Sequence, residues 1–321
     1  MIDQDKIIVC CPQIVTGGPE LLHQLVHELR AIGRDAKIAY YPFNEKFICP
    51  EPYRKYDAPQ GELRDDPDTF VVIPEADTWI TKRLNKAKIG IWWLSVDNYF
   101  NATHQSLFRD IYIRYRLLIS HRVPMFQMKR FIHLTQSYYA EDFLKRCNIK
   151  PYPLTDYIGL EHIIKNKNSL LDNKENIVVY NPKKGQKQTQ ALIQAYPDIN
   201  FVPLQNMTPD QVSTLLRRAK LYIDFGPHPG KDRLPREAAI AGCCVVTGRR
   251  GSANYHQDVP IQKQYKLNDK SIEYIDQFGK LAKNIFINFE QLITDFDHYR
   301  AKIAIEHEIF RSQVRNIFGE D

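Results

Sequence analysis

The sequence predicts an α/β protein made of two doubly wound domains facing across a cleft, with a C-terminal helix crossing back. Three observations predict it. A strand, a glycine turn, a helix and a second strand open the chain; the same order resumes after a polar break; and the strands are short and almost uniformly apolar. Strands of that composition belong in a parallel sheet covered by helices on both faces. The length of 321 residues exceeds one usual core and suits two.

The first strand is "KIIVCCP", and "TGGPE" turns the chain into the helix "ELLHQLVHELRAIG". There Leu21, Leu22, Leu25, Val26, Leu29 and Ile32 recur at helical spacing, and Gly33 closes the helix. "DAKIAYYP" returns as a strand parallel to the first. After a Pro-rich excursion from Pro42 to Pro67, "TFVVIPE" and "KIGIWWLSVDN" supply further strands, and "FIHLTQSYYAEDFLKRCNI" repeats strand then helix. The polar stretch from Ile163 to Asn176 is the expected linker. It divides the chain into a first domain at 1–165, a second domain at 166–298 and a terminal helix at 299–321 that packs on the first domain. In the second domain "IVVYNPKKG" leads into "QKQTQALIQAYP", "INFVPL" into "TPDQVSTLLRRA", "KLYIDFG" into "RLPREAAIAG", and "CCVVTG" into another glycine turn. From Ser271 onward the pattern is helical, including "AKIAIEHEIFRSQVRNIF".

Composition narrows the classes. With 44 Lys and Arg against 38 Asp and Glu, the net charge of +6 favours acidic partners such as nucleotide phosphates, without choosing among them. No uninterrupted apolar run reaches membrane-spanning length and the N-terminus has no leader-like apolar region, so a cytoplasmic protein is expected. The cysteines Cys10, Cys11, Cys49, Cys147, Cys243 and Cys244 lack zinc-knuckle or redox spacing, and the two adjacent pairs read as reduced core packing. His23 and His27 lie one helical turn apart but have no third ligand, and "DFD" at Asp295–Asp297 falls in a helical region, so no metal is expected at either. The segment 109–133 mixes basic and apolar residues and would suit an anionic membrane face as well as an amphipathic helix with a solvated side. No nucleic-acid motif accompanies it, and no nucleic-acid partner is expected.

Ligands of doubly wound sheets sit at the carboxyl ends of strands, and three loops qualify there. Gly17 and Gly18 would let backbone amides approach a phosphate or sugar, and would equally make a tight turn. Lys183 and Lys184 precede Gly185 and a helix, which suits a diphosphate, although the spacing is not that of the nucleoside-triphosphatase phosphate loop. The third loop, "HPGKDRLPREAAIAGCCVV", sets Glu237 one turn into a small-residue helix. A carboxylate there can accept hydrogen bonds from vicinal ribose hydroxyls, or serve only as a surface acid favoured by the helix dipole.

Taken together, "TGGPELLHQLVHELRAIGRDAKI", "NPKKGQKQTQALIQAY" and "PGKDRLPREAAIAGCCVV" resemble the corresponding segments of GT-B glycosyltransferases, particularly the retaining enzymes of glycosyltransferase family four. The resemblance implies two Rossmann-like domains, an acceptor domain at 1–165 and a donor domain at 166–298, with a nucleoside-diphosphate sugar as donor and no metal or other cofactor. It implies donor contacts from Gly17, Gly18, Asn206, Met207, His228, Gly230, Lys231, Asp232, Arg233 and Glu237, with Glu237 on the ribose, and places Gly251 and Ser252 near the pocket. Arg249 and Arg250 read as an exposed basic turn. Two departures stand out. The family's sugar-facing glutamate falls on Pro229, eight positions before Glu237, and the arginine upstream of the Lys-Gly pair is absent.

Glycosyl transfer requires stabilisation of the leaving diphosphate, for which Lys183, Lys184, Lys231 and Arg233 are the candidates. An inverting enzyme also requires a general base, and Asp97, at a strand end in the first domain, is best placed. In a retaining enzyme Asp97 would only orient the acceptor or sugar; a turn or helix-cap role is the structural alternative. The expected reaction is retaining transfer of a hexose-like sugar to a carbohydrate or lipid-linked acceptor, in bacterial surface polysaccharide synthesis at the inner face of the membrane. A nucleotide-sugar epimerase or hydrolase, and a non-catalytic nucleotide-sugar-binding subunit, are the alternatives.

Overall fold

The computed structural model describes residues 2–43, 45, 47–100, 122–159, 171 and 173–319. They form two compact units: Met1–Asp156 together with His307–Asp321, and Tyr157–Glu306.

Unit 1 is built on a six-stranded sheet in the order β2-β1-β3-β4-β5-β6, every pair parallel. The strands are β1 (Lys6–Pro12), β2 (Asp35–Tyr41), β3 (Thr69–Pro74), β4 (Lys88–Trp93), β5 (Ile132–Thr135) and β6 (Tyr152–Pro153). The helix Gly17–Ala31 follows β1 and buries Leu21, Leu22, Leu25, Val26 and Leu29. Gly33 beyond it has φ +89, the left-handed backbone that ends the helix without a Cβ clash. Cys10 and Cys11 are buried in β1 as free thiols, and burial raises both above the usual thiol range. His23 is a core residue, its ring nitrogens 2.7 Å from the Pro19 carbonyl and 2.7 Å from the Tyr40 hydroxyl, while His27 Nδ1 accepts from the Asp57 amide.

Unit 2 holds a five-stranded sheet in the order β11-β10-β9-β7-β8, again parallel throughout. Its strands are β7 (Glu175–Tyr180), β8 (Asn200–Pro203), β9 (Ala219–Asp224), β10 (Cys244–Gly248) and β11 (Lys266–Leu267). The helices Gln186–Ala195, Pro209–Arg218 and Arg233–Ile240 connect them, and Tyr274–Ile287 packs against the same core through Phe278, Ala282 and Ile285. The small residues Ala238 and Ala239 are fully buried, which lets their helix lie close to the sheet.

The C-terminal region corrects one expectation. The run expected as a single helix breaks at Ile305, giving Asp297–Ala304 and Glu306–Phe318. Glu306 is drawn into ion pairs with Lys231 (2.7 Å) and Arg236 (2.8 Å) in unit 2. From His307 the helix belongs to unit 1: Phe310 stacks on Trp92, Phe318 meets Phe70 edge-on, and the Ile2 amide donates to the Ile317 carbonyl. The buried carboxylate of Glu28 pairs with His307 (2.6 Å) and Arg311 (2.9 Å).

Candidate functional site

In unit 2 the strand order reverses between β7 and β9, because β8 lies on one side of β7 while β9 and β10 lie on the other. Loops leaving such neighbours diverge and open a crevice at the carboxyl edge of the sheet. The loop after β7 carries Lys183, Lys184 and Gly185; the loop after β9 runs from Phe225 to Asp232. Gly185 has φ +59, and a Cβ there would lie 2.5 Å from the Phe225 carbonyl carbon. Only glycine lets the two loops pack this closely.

The packing brings Lys184 Nζ to 2.7 Å from Asp232 Oδ1. Asp232 Oδ2 lies 2.9 Å from His228 Nδ1, and His228 Nε2 lies 3.2 Å from the Asp224 carbonyl oxygen and 3.5 Å from its carboxylate. Asp224 accepts from the Gly226 amide and the Tyr222 hydroxyl. Burial alone would raise the Asp232 carboxyl, but His228 and Lys184 hold it well below the usual carboxylate range. Burial likewise disfavours charge on His228, yet Asp224 and Asp232 outweigh it and raise the imidazole above its ordinary value. Lys184 is raised too, its burial offset by Asp232 and Asp224. Asp224, His228 and Asp232 bring metal-type ligand atoms within 4.8 Å of one another. Lys184 pairs with Asp232 Oδ1 and the Asp224 carbonyl accepts from His228 Nε2, so the three side chains and Lys184 form one ion-pair network.

The 228–230 backbone is pinned by the next loop. The Ser252 amide donates to the His228 carbonyl (2.9 Å) and Ser252 Oγ to the Gly230 carbonyl (2.6 Å), so the expected approach of Gly251 and Ser252 is present. Arg250 differs from the exposed basic turn expected: its side chain is largely buried and ion-paired with Asp269, whereas Arg249 is exposed.

Beside this network lies a cavity of about 280 Å³ lined by Met207, Pro209, Val212, Ser213, Leu216, Arg233, Leu234, Glu237 and Ala241. Met207 comes from the loop after β8, next to Asn206, which adopts φ +55 and is exposed. A capping box between Thr208 and Gln211 fixes where that loop becomes helix. Glu237 Oε1 accepts from Arg233 at 2.8 and 2.9 Å. The cavity has mostly apolar walls with one carboxylate and one guanidinium, a composition that suits a flat heterocycle with a hydroxylated ring attached. Lys183 is exposed, while Lys231 is buried on Glu306.

Unit 1 reverses strand order between β1 and β3. Gly17 and Gly18 begin the helix after β1 in ordinary backbone, with open space where a Gly17 Cβ would project. The tight turn of positive φ is thus not their role. Asp97 lies in the short helix Val96–Phe100 after β4 and accepts from the Tyr139 hydroxyl (3.1 Å). The cap of that helix is Ser95, whose hydroxyl accepts from the Asn98 amide. Glu75, which sequence reasoning passed over, follows β3 and is buried, accepting from the Leu94 amide (2.9 Å). Burial pushes its carboxyl up to about 8, against the Leu94 hydrogen bond. Its only sequence signal was an acid directly after an apolar strand. Of the segment 109–133, residues 109–121 lie outside the described residues; Arg122 donates to the carbonyls of Ala76, Asn98 and Tyr99, and Met128 is buried.

The chain is similar in fold to several solved structures. Sucrose-phosphate synthase from Thermosynechococcus elongatus matches with a TM-score of 0.63 at 11% identity, covering 98% of each chain. HepE from Anabaena, in complex with UDP-glucose, matches at 0.60 and 10% identity, over 97% of this chain and 98% of that one. The fold of this chain is GT-B. A third GT-B match is a trehalose-6-phosphate structure from E. coli bound with UDP-2-fluoro glucose, at a TM-score of 0.59 and 12% identity, over 97% of this chain and 99% of that one. No family model matches the sequence, and no curated protein matches it.

Proposed function

We propose that this GT-B protein is a glycosyltransferase that moves a sugar from a nucleoside diphosphate to a carbohydrate or lipid-linked acceptor. The observation that carries the reading is the juxtaposition in unit 2: an apolar cavity walled by Met207, Arg233 and Glu237 beside a strand-order reversal bearing Lys184. The cavity takes the base and Glu237 the ribose hydroxyls, exchanging part of its ion pair with Arg233 for the ligand. The diphosphate lies toward Lys184 and Lys183 and the backbone of Gly230 to Arg233. Three structural neighbours of similar fold, two of them bound to UDP-glucose or its 2-fluoro analogue, support this choice of donor class.

In the reaction the bond from the anomeric carbon to the diphosphate oxygen breaks, and its electron pair leaves with the phosphate. Lys184 offsets that developing charge. The acceptor oxygen bonds to the same carbon, and in retaining transfer, which we favour, its proton passes to the departing phosphate. Asp97 then orients the acceptor; in an inverting reaction it would take the proton. Neither step calls on a metal, and the pathway we assign, on resemblance, is surface polysaccharide assembly in bacteria.

The test is a thermal-shift panel of UDP, GDP and ADP, because a ligand that binds only the folded state raises its apparent stability. At least one should raise the melting temperature, and Glu237→Ala should weaken that ligand about 10-fold or more, as loss of a charged hydrogen-bond partner implies. An unchanged Kd in Glu237→Ala removes the donor-site assignment. Turnover of the donor with and without acceptors then separates transfer from acceptor-free conversion and from binding without turnover.

A further inference from the structure

We propose that His228 makes diphosphate binding pH-dependent, by setting the net charge of the partly buried Asp224–His228–Asp232–Lys184 cluster. This rests on the donor reading above and names a regulation of that same site.

His228 occupies a conformation its residue type rarely adopts, with φ +46, and its side chain is fully buried. Such backbone costs about 1–3 kcal/mol and persists only where surrounding structure imposes it. Here the Ser252 amide holds the His228 carbonyl, and a Cβ on Gly251 would lie 1.9 Å from that oxygen. The result is a buried ring held between two acids. Nδ1 faces Asp232 and Nε2 faces Asp224, by carbonyl and carboxylate. Nε2 donates to the Asp224 carbonyl, and a carboxylate lies within 3.5 Å of each ring nitrogen, surroundings that favour the imidazolium.

The titratable groups around the ring are Asp224 and Tyr222 on β9, Asp232 at the start of the Arg233–Ile240 helix, and Lys184 from the loop after β7. Tyr222 is held neutral, raised by burial and by Asp224. The cluster therefore sums to zero with an imidazolium and to minus one with a neutral ring. The second state sets an uncompensated carboxylate beside Lys184, where it repels an incoming diphosphate. The two acids also keep the imidazole protonated above its ordinary range, so the loss comes at higher pH than for a free imidazole.

Calorimetric titration of the full chain with UDP, GDP and ADP from about pH 7 to 9 tests this, a window above the second phosphate ionisation near pH 6. The wild type should lose about 5- to 10-fold in affinity across it, the effect of one partly screened charge nearby. His228→Asn, chosen because asparagine tolerates positive φ, should lose the slope. Asp232→Asn removes one negative charge and should bind more tightly than the wild type at the alkaline end, which keeps the test open if His228→Asn fails to fold. A flat wild-type profile, a slope retained in His228→Asn, or no tightening in Asp232→Asn overturns the inference while leaving the donor site standing. Absence of binding by all three nucleotides at every pH overturns the donor site itself, and this inference with it.

Discussion

Glu75 and Glu237 are both acids at the carboxyl edge of a parallel sheet, and they behave oppositely because of what surrounds them. Glu237 has Arg233 as a charged partner. Glu75 is buried 2% exposed, and its carboxyl is pushed up to about 8. A carboxyl raised on folding binds its proton more tightly in the folded chain than in the unfolded one. Stability is then unaffected below the ordinary carboxylate range, falls as pH rises from about 4.5 toward 8, and levels off above it, by a few kcal/mol at most. Glu75→Gln keeps an acceptor for the Leu94 amide and cannot ionise. Its melting temperature relative to wild type should climb between pH 5 and pH 8, and a constant difference across that range would reject the assignment. Glu237 and Lys184 were legible in the sequence because each sits in a local strand-loop-helix pattern. His228 and Asp232 were named there as donor residues, but their mutual pairing was not, since four residues apart means a shared face only in a helix and this stretch is a loop. The pairing of Arg236 with Glu306 spans 70 residues and left no local trace.

At the scale of elements, both sheets and most of their helices followed from periodicity, because short apolar strands and helices with one apolar face have few other arrangements. The polar stretch expected as a linker was harder to read. Much of it lies outside the described residues, but Lys174 near its end reaches inward, and its ammonium donates to the carbonyls of Leu216 (3.3 Å), Ala219 (2.9 Å) and Ala241 (2.9 Å). Those oxygens belong to the ends of the helices Pro209–Arg218 and Arg233–Ile240, where carbonyls lack helical partners. One cation thus ties together the two helices that wall the cavity. Lys174→Met should cost about 1–3 kcal/mol in denaturant unfolding, the usual loss when buried acceptors go unpaired. It should also weaken nucleotide binding more than an exposed substitution such as Lys187→Met does. Composition alone could not separate this lysine from its solvated neighbours, since charge patterning reports solubility before it reports contacts.

For the molecule as a whole, each unit has its own sheet and its own core, and no helix among the described residues is long and apolar enough to cross a membrane. The units differ in how their chain is supplied. Unit 2 is continuous, whereas unit 1 is assembled from the first part of the chain and from His307–Asp321. Without that segment Trp92 and Phe70 lose Phe310 and Phe318, and Glu28 loses His307 and Arg311. A chain ending at Glu306 should therefore retain the near-native signals of unit 2 and lose protection from amide exchange in β1, β3 and β4. Equal protection in both chains would show that the segment is dispensable. Synthesis adds a further consequence. A ribosome delivers His307 only after all of unit 2 has been made, so the first half of the protein waits, unfinished, for the second. Its apolar sheet face is the surface a nascent-chain chaperone would meet in that interval, and emergence of His307–Asp321, rather than emergence of β6, is the event that closes it.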